Sequence, residues 1–295
     1  MVEKTKKTIL ITGPDGLLGR ALLKNLKAKY KLVALKHKNA DITQEKKVLQ
    51  VFASIKPWLV IHAAAYTDVD ACEANPEKAF AINAKGTRNI AKAAKGSGSI
   101  LIYISTDYVF SGRKKSPYHE QDQAVPISIY GKTKLKGEEF IKKLLKRYLI
   151  IRTSWLFGCG RNTFIDAVLK QARNSKVLKI VAGKYSSPTY AADLSEAISE
   201  VIDKINGRTW QDKFYGTYHI TNSGSCSWYD YAQYILKVKG MRNVKILPIS
   251  LSEVKFKARR PVFSVLDNSK YASLCARPLR GWQEALKEYA VHMQK

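Results

Sequence analysis

The stretch Thr8–Gly19, TILITGPDGLLG, decides how the rest of the chain is read. Its first five residues are apolar or β-branched and read as a buried strand. Gly13-Pro14-Asp15 then turns the chain, and Gly16 opens a helical pattern with Leu17, Leu18, Ala21, Leu22 and Leu26 on one face. Gly13, Gly16 and Gly19 make a GxxGxxG turn between strand and helix. A pyrophosphate can reach backbone N–H groups at a helix N-terminus only where no side chain stands in the way, and the third glycine lets the helix close on the strand. The spacing predicts a dinucleotide cradle formed by Gly13, Asp15, Gly16, Leu17, Leu18 and Gly19.

Working outward, short apolar runs alternate with helix-period segments. Lys31–Leu35, Trp58–His62 and Ser99–Ile104 read as strands, Glu45–Ile55 and Pro76–Lys95 as helices, and Leu149–Ile151 and Leu178–Val181 as later strands. That alternation predicts an α/β fold, a doubly wound parallel sheet with helices on both faces. Past residue 205 turn clusters such as Asn222-Ser223-Gly224-Ser225 loosen the pattern, while Tyr229–Lys239 and Trp282–Met293 still read as helices. The expected organisation is a dinucleotide-binding domain over 1–205, its core within 1–155, and a smaller C-terminal α/β lobe for substrate over 206–295 with contributions from 155–175.

Composition narrows the class. Of 295 residues 45 % are hydrophobic and 25 % charged, which excludes wholesale disorder. No apolar run approaches the roughly 18–20 residues that span a bilayer, so no membrane partner is expected. Cys72, Cys159, Cys226 and Cys275 form no CxxC pair, which argues against a zinc ribbon or a disulfide scaffold. The apolar stretch Ile9–Ile11 is too short for a signal peptide, so a cytoplasmic protein is expected. Net charge is +27. The lysines are scattered, with no interleaved aromatic–basic patch, so nucleic acid is not the expected partner. Such a field steers small anionic substrates equally well.

The end of the second strand bears on the choice of dinucleotide. An acid there would meet the ribose of NAD, but this chain has Lys36-His37-Lys38, with the first acid at Asp41. Lys36 and Lys38 can pair with a 2′-phosphate, so NADPH is the expected cofactor, with NADH as the alternative. A second constellation follows the strand Ser99–Ile104. Thr106 stands at its end, and Tyr130 and Lys134 are four residues apart on one helix face. A nearby ammonium would lower the tyrosine pKa, and a threonine hydroxyl could bond the carbonyl that the tyrosine protonates.

These segments resemble the extended short-chain dehydrogenase/reductases and, within them, the dTDP-4-dehydrorhamnose reductase family. The resemblance runs through ILITGPDGLLG, VIHAAAYTDVDACE, AFAINAKGTRNIAKAA, ISTDYVFSG, YGKTKLKGE, RTSWLFG, SPTYAADLS and ARRPVFSVLD. It implies a Rossmann-like fold and hydride transfer from NAD(P)H to the C4 ketone of a nucleotide sugar, giving dTDP-L-rhamnose. Tyr130 would be the proton donor, Lys134 would hold the nicotinamide ribose and Thr106 would polarise the carbonyl. Asp41 and Ile42 would flank the adenine, and Ala63, Ala64 and Ala65 would line the cofactor. Asp107, Tyr108, Trp155 and Arg260 would shape the nucleotide-sugar site.

Gly183-Lys184-Tyr185-Ser186 departs from the family, which has acid, glutamine, any residue, glycine before its Ser-Pro-Thr. The asparagine expected just before Phe164 is displaced to Asn162. Some family members dimerise through magnesium, but so basic a chain shows no acidic cluster for it, so no metal site is expected and monomer and homodimer both stay open. Two rival readings remain: a reductase or epimerase of another nucleotide sugar, and a non-catalytic NADP(H)-binding subunit resembling the methionine adenosyltransferase regulatory subunit.

Overall fold

The computed structural model describes residues 6–207 and 209–293. Strand β1 (Thr8–Thr12) lies inside a six-stranded sheet with β2 (Lys31–Leu35), β3 (Leu59–His62), β4 (Ile100–Thr106), β5 (Tyr148–Thr153) and a last strand, Gly216–His219. Across the sheet the order is Gly216–His219, β5, β4, β3, β1, β2, and every pair is parallel. From β1 the chain winds outward to β2, then returns to the other side of β1 for β3. The switch point between β1 and β3 opens a crevice at the carboxyl ends of the strands, where ligands of such sheets bind.

The sequence pattern builds this arrangement through two cores. On one face Leu18, Leu22 and Leu26 of helix α1 (Leu17–Leu26) pack with Leu194, Ile198 and Ile202 of the helix Ala191–Asn206. On the other, Val48 and Phe52 of helix α2 (Glu45–Ile55) meet Ile90 and Ala94 of the helix Thr87–Ser97. Side chains of this kind contribute about 1.5–3 kcal/mol each when fully buried. A third core gathers Phe157, Leu169, Ile180, Tyr231 and Leu286. Among the described residues no helix is long and apolar enough to cross a membrane.

Three elements differ from expectation. The strand at Leu178–Val181 forms, as Val177–Val181, but pairs in parallel with Lys245–Ile249 instead of joining the central sheet. Its exposed Val177 and Lys179 explain why, because strands inside the central sheet are buried on both faces. The sixth central strand, Gly216–His219, comes from beyond residue 205, so the central sheet draws on the part of the chain expected to form the smaller lobe. As a four-residue edge strand it carries no continuous apolar run to reveal it. The helix expected over Pro76–Lys95 is interrupted by a π-helical stretch, Phe80–Gly86. Such wide turns occur frequently at functional sites, and here the turn includes the buried Asn83.

Candidate active site

The cradle glycines each answer a different steric demand. Gly13 has φ +68°, and a Cβ on it would lie 2.7 Å from the Ala64 backbone nitrogen. A Cβ on Gly19 would run into the Gly13 carbonyl oxygen and the Pro14 backbone. Gly16 is different, since a Cβ there would meet only the Gly13 carbonyl, at 3.4 Å. It caps α1 without a side-chain hydrogen bond, which leaves the first N–H groups of the helix for a ligand. Leu18 is buried under this turn, Leu17 is half-buried and Asp15 is exposed.

A hydrogen-bond chain fixes the wall beside the cradle. Thr87 Oγ1 donates to the Asn83 carbonyl at 2.7 Å, so it accepts from His62 Nε2 at 3.0 Å. His62 Nδ1 is then the acceptor for the Thr12 hydroxyl at 2.7 Å, and Thr12 Oγ1 takes the Ala64 N–H at 3.1 Å. One tautomer therefore ties β1, β3 and the π-helical turn to Ala64. Ala63, Ala64 and Ala65 follow β3 and stay partly open to the crevice. Asn83 adds a clasp, accepting from Tyr66 N at 2.7 Å while its amide reaches Tyr66 O and Thr133 Oγ1.

Burial pushes the His62 pKa down to about 3, with the Lys134 charge adding to the effect. Burial likewise takes His219 down to about 3, helped by Arg152. Both imidazoles are thus neutral in the folded protein but take up protons near the ordinary histidine pKa when it unfolds. Stability then falls as pH drops below about 6.5. Between pH 6.5 and 5 the expected loss is on the order of 2 kcal/mol per histidine. Unfolding in urea at the two pH values checks this, and His62→Asn and His219→Asn should each flatten the pH slope. An unchanged slope in both variants would contradict it.

The charged end of β2 lies where the sequence predicts. Lys36 and Lys38 are exposed, and Lys36 Nζ is 3.5 Å from Asp15 Oδ1, which brings it to the cradle. Asp41 accepts from Thr43 N and Oγ1 at 2.9 and 2.8 Å. Ile42 is buried, and its side chain lies so near Gly86 that a Cβ there would come within 2.8 Å.

Thr106 ends β4, and the helix Ile129–Leu144 carries Tyr130 and Lys134 to it. Ser128 caps that helix by accepting from Gly131 N at 3.2 Å, and Glu73 accepts from Ile129 N at 2.9 Å. Gly131 is required because a Cβ would strike the Tyr108 carbonyl oxygen. Lys134 is 2 % exposed, donates to the Ile104 carbonyl at 2.7 Å and lies 4.1 Å from the centre of the Tyr103 ring. Burial lowers its pKa to about 7, against the opposing pull of Glu138.

The expected lowering of the Tyr130 pKa by Lys134 is not found. Burial raises it, partly opposed by a hydrogen bond with Thr106 and reinforced by the Asp107 charge. The ammonium of Lys134 is turned to a carbonyl, so desolvation dominates.

Thr106 donates to Asp107 Oδ1 at 3.0 Å and accepts from Tyr108 N at 3.2 Å. Asp107 is 3 % exposed, and Tyr108 packs edge-on against Tyr130, ring centres 5.7 Å apart. Arg260 reaches the same region from the chain beyond the last central strand. Its Nη2 is 2.7 Å from Asp70 Oδ2, while Nη1 is buried without a partner.

Trp155 has φ +45° and packs in an aromatic group with Phe164, Trp228 and Tyr231, so its ring is shared with the third core. Sequence reading missed His62, Asn83, Asp70 and Ser264. All four lie within quoted segments, but nothing in their spacing indicates burial or pairing. Lys184 was noticed only as a departure, and its 2 % exposure gives it a different meaning.

A glycine cradle at a switch point, with Thr, Tyr and Lys converging at the end of a neighbouring strand, defines a Rossmann-type oxidoreductase of the short-chain dehydrogenase/reductase kind. The family model described as RmlD substrate binding domain matches residues 7–295. The chain belongs to this family, that of the dTDP-4-dehydrorhamnose reductases. It is 39 % identical to the Bacillus subtilis spore coat polysaccharide biosynthesis protein SpsK over 95 % of this chain and 96 % of that protein. With the dTDP-4-dehydrorhamnose reductase of Aggregatibacter actinomycetemcomitans it shares 36 % identity, covering 97 % and 99 % of the two chains. Among solved structures, the dTDP-4-dehydrorhamnose reductase of Bacillus anthracis in complex with NADP superposes with TM-score 0.91 at 38 % identity, covering 98 % of this chain and 100 % of that one.

Proposed function

We propose that the protein reduces the C4 ketone of dTDP-4-dehydro-L-rhamnose with NADPH, giving dTDP-L-rhamnose. One observation carries this reading: Tyr130, Thr106 and Lys134 converge beside a cradle whose glycines have no room for side chains or leave helix N–H groups free. The NADP-bound relative and the relatives named as dTDP-4-dehydrorhamnose reductases support it.

The residues present fit a dinucleotide. Gly13, Gly16 and Gly19 with the N-terminus of α1 would hold the pyrophosphate, Lys36 and Lys38 the 2′-phosphate, Asp41 and Ile42 the adenine side. Ala63–Ala65 would line the nicotinamide half, and Lys134 would meet its ribose. Bound there, the nicotinamide supplies a hydride to C4 of the sugar.

The protein's own groups answer the charge that then develops on the ketone oxygen. Because burial holds Tyr130 protonated, its O–H is loaded at neutral pH, which suits reduction. The new alkoxide is a far stronger base than a phenolate, so the proton passes from Tyr130 Oη to O4 and solvent later replaces it. Thr106 turns its O–H from Asp107 to the ketone oxygen, adding a second donor where charge builds. Asp107, released from Thr106, accepts from a sugar hydroxyl. The unpaired Nη1 of Arg260 suits the diphosphate of the nucleotide.

Initial rates of NADPH and NADH oxidation with dTDP-4-dehydro-L-rhamnose test both parts. Turnover with NADPH is expected. The Lys36→Ala/Lys38→Ala variant should raise KM for NADPH about tenfold, the value of one charge-assisted contact of roughly 1.5 kcal/mol, and leave KM for NADH in place. Cofactor binding without turnover would overturn the proposed reaction, and equal shifts for both cofactors would overturn the lysine assignment.

A further inference from the structure

Lys184 is a buried cation that the proposed reaction leaves unused. Its Nζ donates to Ser186 Oγ at 3.2 Å and lies over two aromatic faces, 5.6 Å from the Tyr108 ring centre and 5.3 Å from that of Trp228. Ser186 Oγ is 3.4 Å from Ser264 Oγ, and Ser264 donates to Asp107 Oδ2 at 2.5 Å. Since the single proton of Ser264 goes to Asp107, the 3.4 Å approach of the two serine oxygens is a contact and not a second hydrogen bond. With Thr106 donating to Asp107 Oδ1, two hydroxyls give their protons to one carboxylate.

A buried carboxylate needs a counter-charge. Arg260, the other cation of the region, is already paired with Asp70 at 2.7 Å. Lys184 is therefore the cation left for Asp107, and Ser186 and Ser264 lie between them.

We propose that Lys184 is a positioning residue for the reaction: lying across Ser186 and Ser264 from the carboxylate, its charge keeps Asp107 an acceptor, so that Asp107 can take a hydroxyl of the sugar when Thr106 turns to the ketone. An ionised carboxylate only accepts hydrogen bonds, whereas a protonated one donates. Without the lysine charge, Asp107 takes up a proton more readily and its pattern toward the sugar is reversed. Burial already pushes the Asp107 pKa up, and Lys184 is the foremost influence holding it down, ahead of Ser264, Ser154 and Thr106. The ionisable groups around this set are Asp70, Tyr108, Tyr130 and Arg260. The inference rests on the proposed sugar-reductase reading for its kinetic part only.

Two measurements on the full chain keep those parts separate. The first is carbon-13 NMR of protein labelled at aspartate Cγ, with Asp107→Asn to assign the signal. In the wild type the Asp107 carboxyl should stay ionised at pH 7. In Lys184→Met its titration should move up by about one pH unit or more, and Lys184→Arg should restore it. The second is kcat/KM for the keto-sugar against pH. The acid limb should move up in Lys184→Met by the same amount, carried mainly by KM, and Lys184→Met should move it no further in an Asp107→Asn background.

A uniform fall in rate with both titrations unmoved would mean a purely structural lysine and overturn the proposal. An unmoved Asp107 signal overturns it even if the wild type reduces no keto-sugar, while a shifted signal without turnover overturns only the substrate reading. If Lys184→Met does not fold, Lys184→Gln removes the charge while keeping a donor for Ser186. It should raise the Asp107 titration, and an unchanged titration there contradicts the proposal.

Discussion

Tyr130→Phe is expected to fold, bind NADPH and lose turnover by roughly 10²–10⁴-fold, the usual value of a positioned general acid. The ring of Tyr130 packs with Cys72 and Ala79 and against Tyr108, and phenylalanine keeps all of those contacts. What disappears is the one hydroxyl that burial keeps protonated beside Thr106. Steady-state kinetics with a thermal melt of both proteins separate the two effects. A variant with wild-type rates would remove Tyr130 from the chemistry. One that melts far below the wild type would show that the oxygen serves packing.

The second large effect lies beneath the same helix. Glu138 is fully buried, one turn after Lys134, and receives Arg152 Nε at 3.0 Å, Arg152 Nη2 at 2.7 Å and the Ser105 hydroxyl at 2.6 Å. Lys142, 3.8 Å away and nearly half exposed, is a weak substitute. Arg152→Met should therefore cost about 3–5 kcal/mol, because it strands a buried carboxylate. Glu138→Gln/Arg152→Met removes the stranded charge too and should be more stable than Arg152→Met alone. Urea unfolding of the three proteins decides this. If the double variant is the less stable, the pair contributes by attraction and not by mutual neutralisation.

Much of the fold was legible because its signals are local. TILIT, KLVAL and the runs that became β3 and β4 are continuous apolar strands, as a sheet buried on both faces requires. Glycine spacing exposed the cradle, and the four-residue step from Tyr130 to Lys134 exposed a shared helix face. What stayed hidden depends on partners far apart in the chain. Gly216–His219 is a strand only because β5 offers it an edge, and Val177–Val181 left the central sheet because Lys245–Ile249 lies beside it. The same holds within the site. Spacing placed a lysine near Tyr130, but whether that ammonium faces the phenol or the Ile104 carbonyl is set by three-dimensional packing. Lys184 looked like one lysine among many until the fold enclosed it with Asp107, Ser186 and Ser264.

Deuterium transfer tests the proposed reaction most directly. The protein would be incubated with dTDP-4-dehydro-L-rhamnose and NADPH deuterated at C4 of the nicotinamide, and the product examined by NMR and mass spectrometry. One deuterium at C4 of dTDP-L-rhamnose for each NADPH consumed is the expected result, with Tyr130→Phe forming the same product far more slowly. NADPH bound but unconsumed, or deuterium at any other carbon of the sugar, would contradict reduction of the C4 ketone at this site.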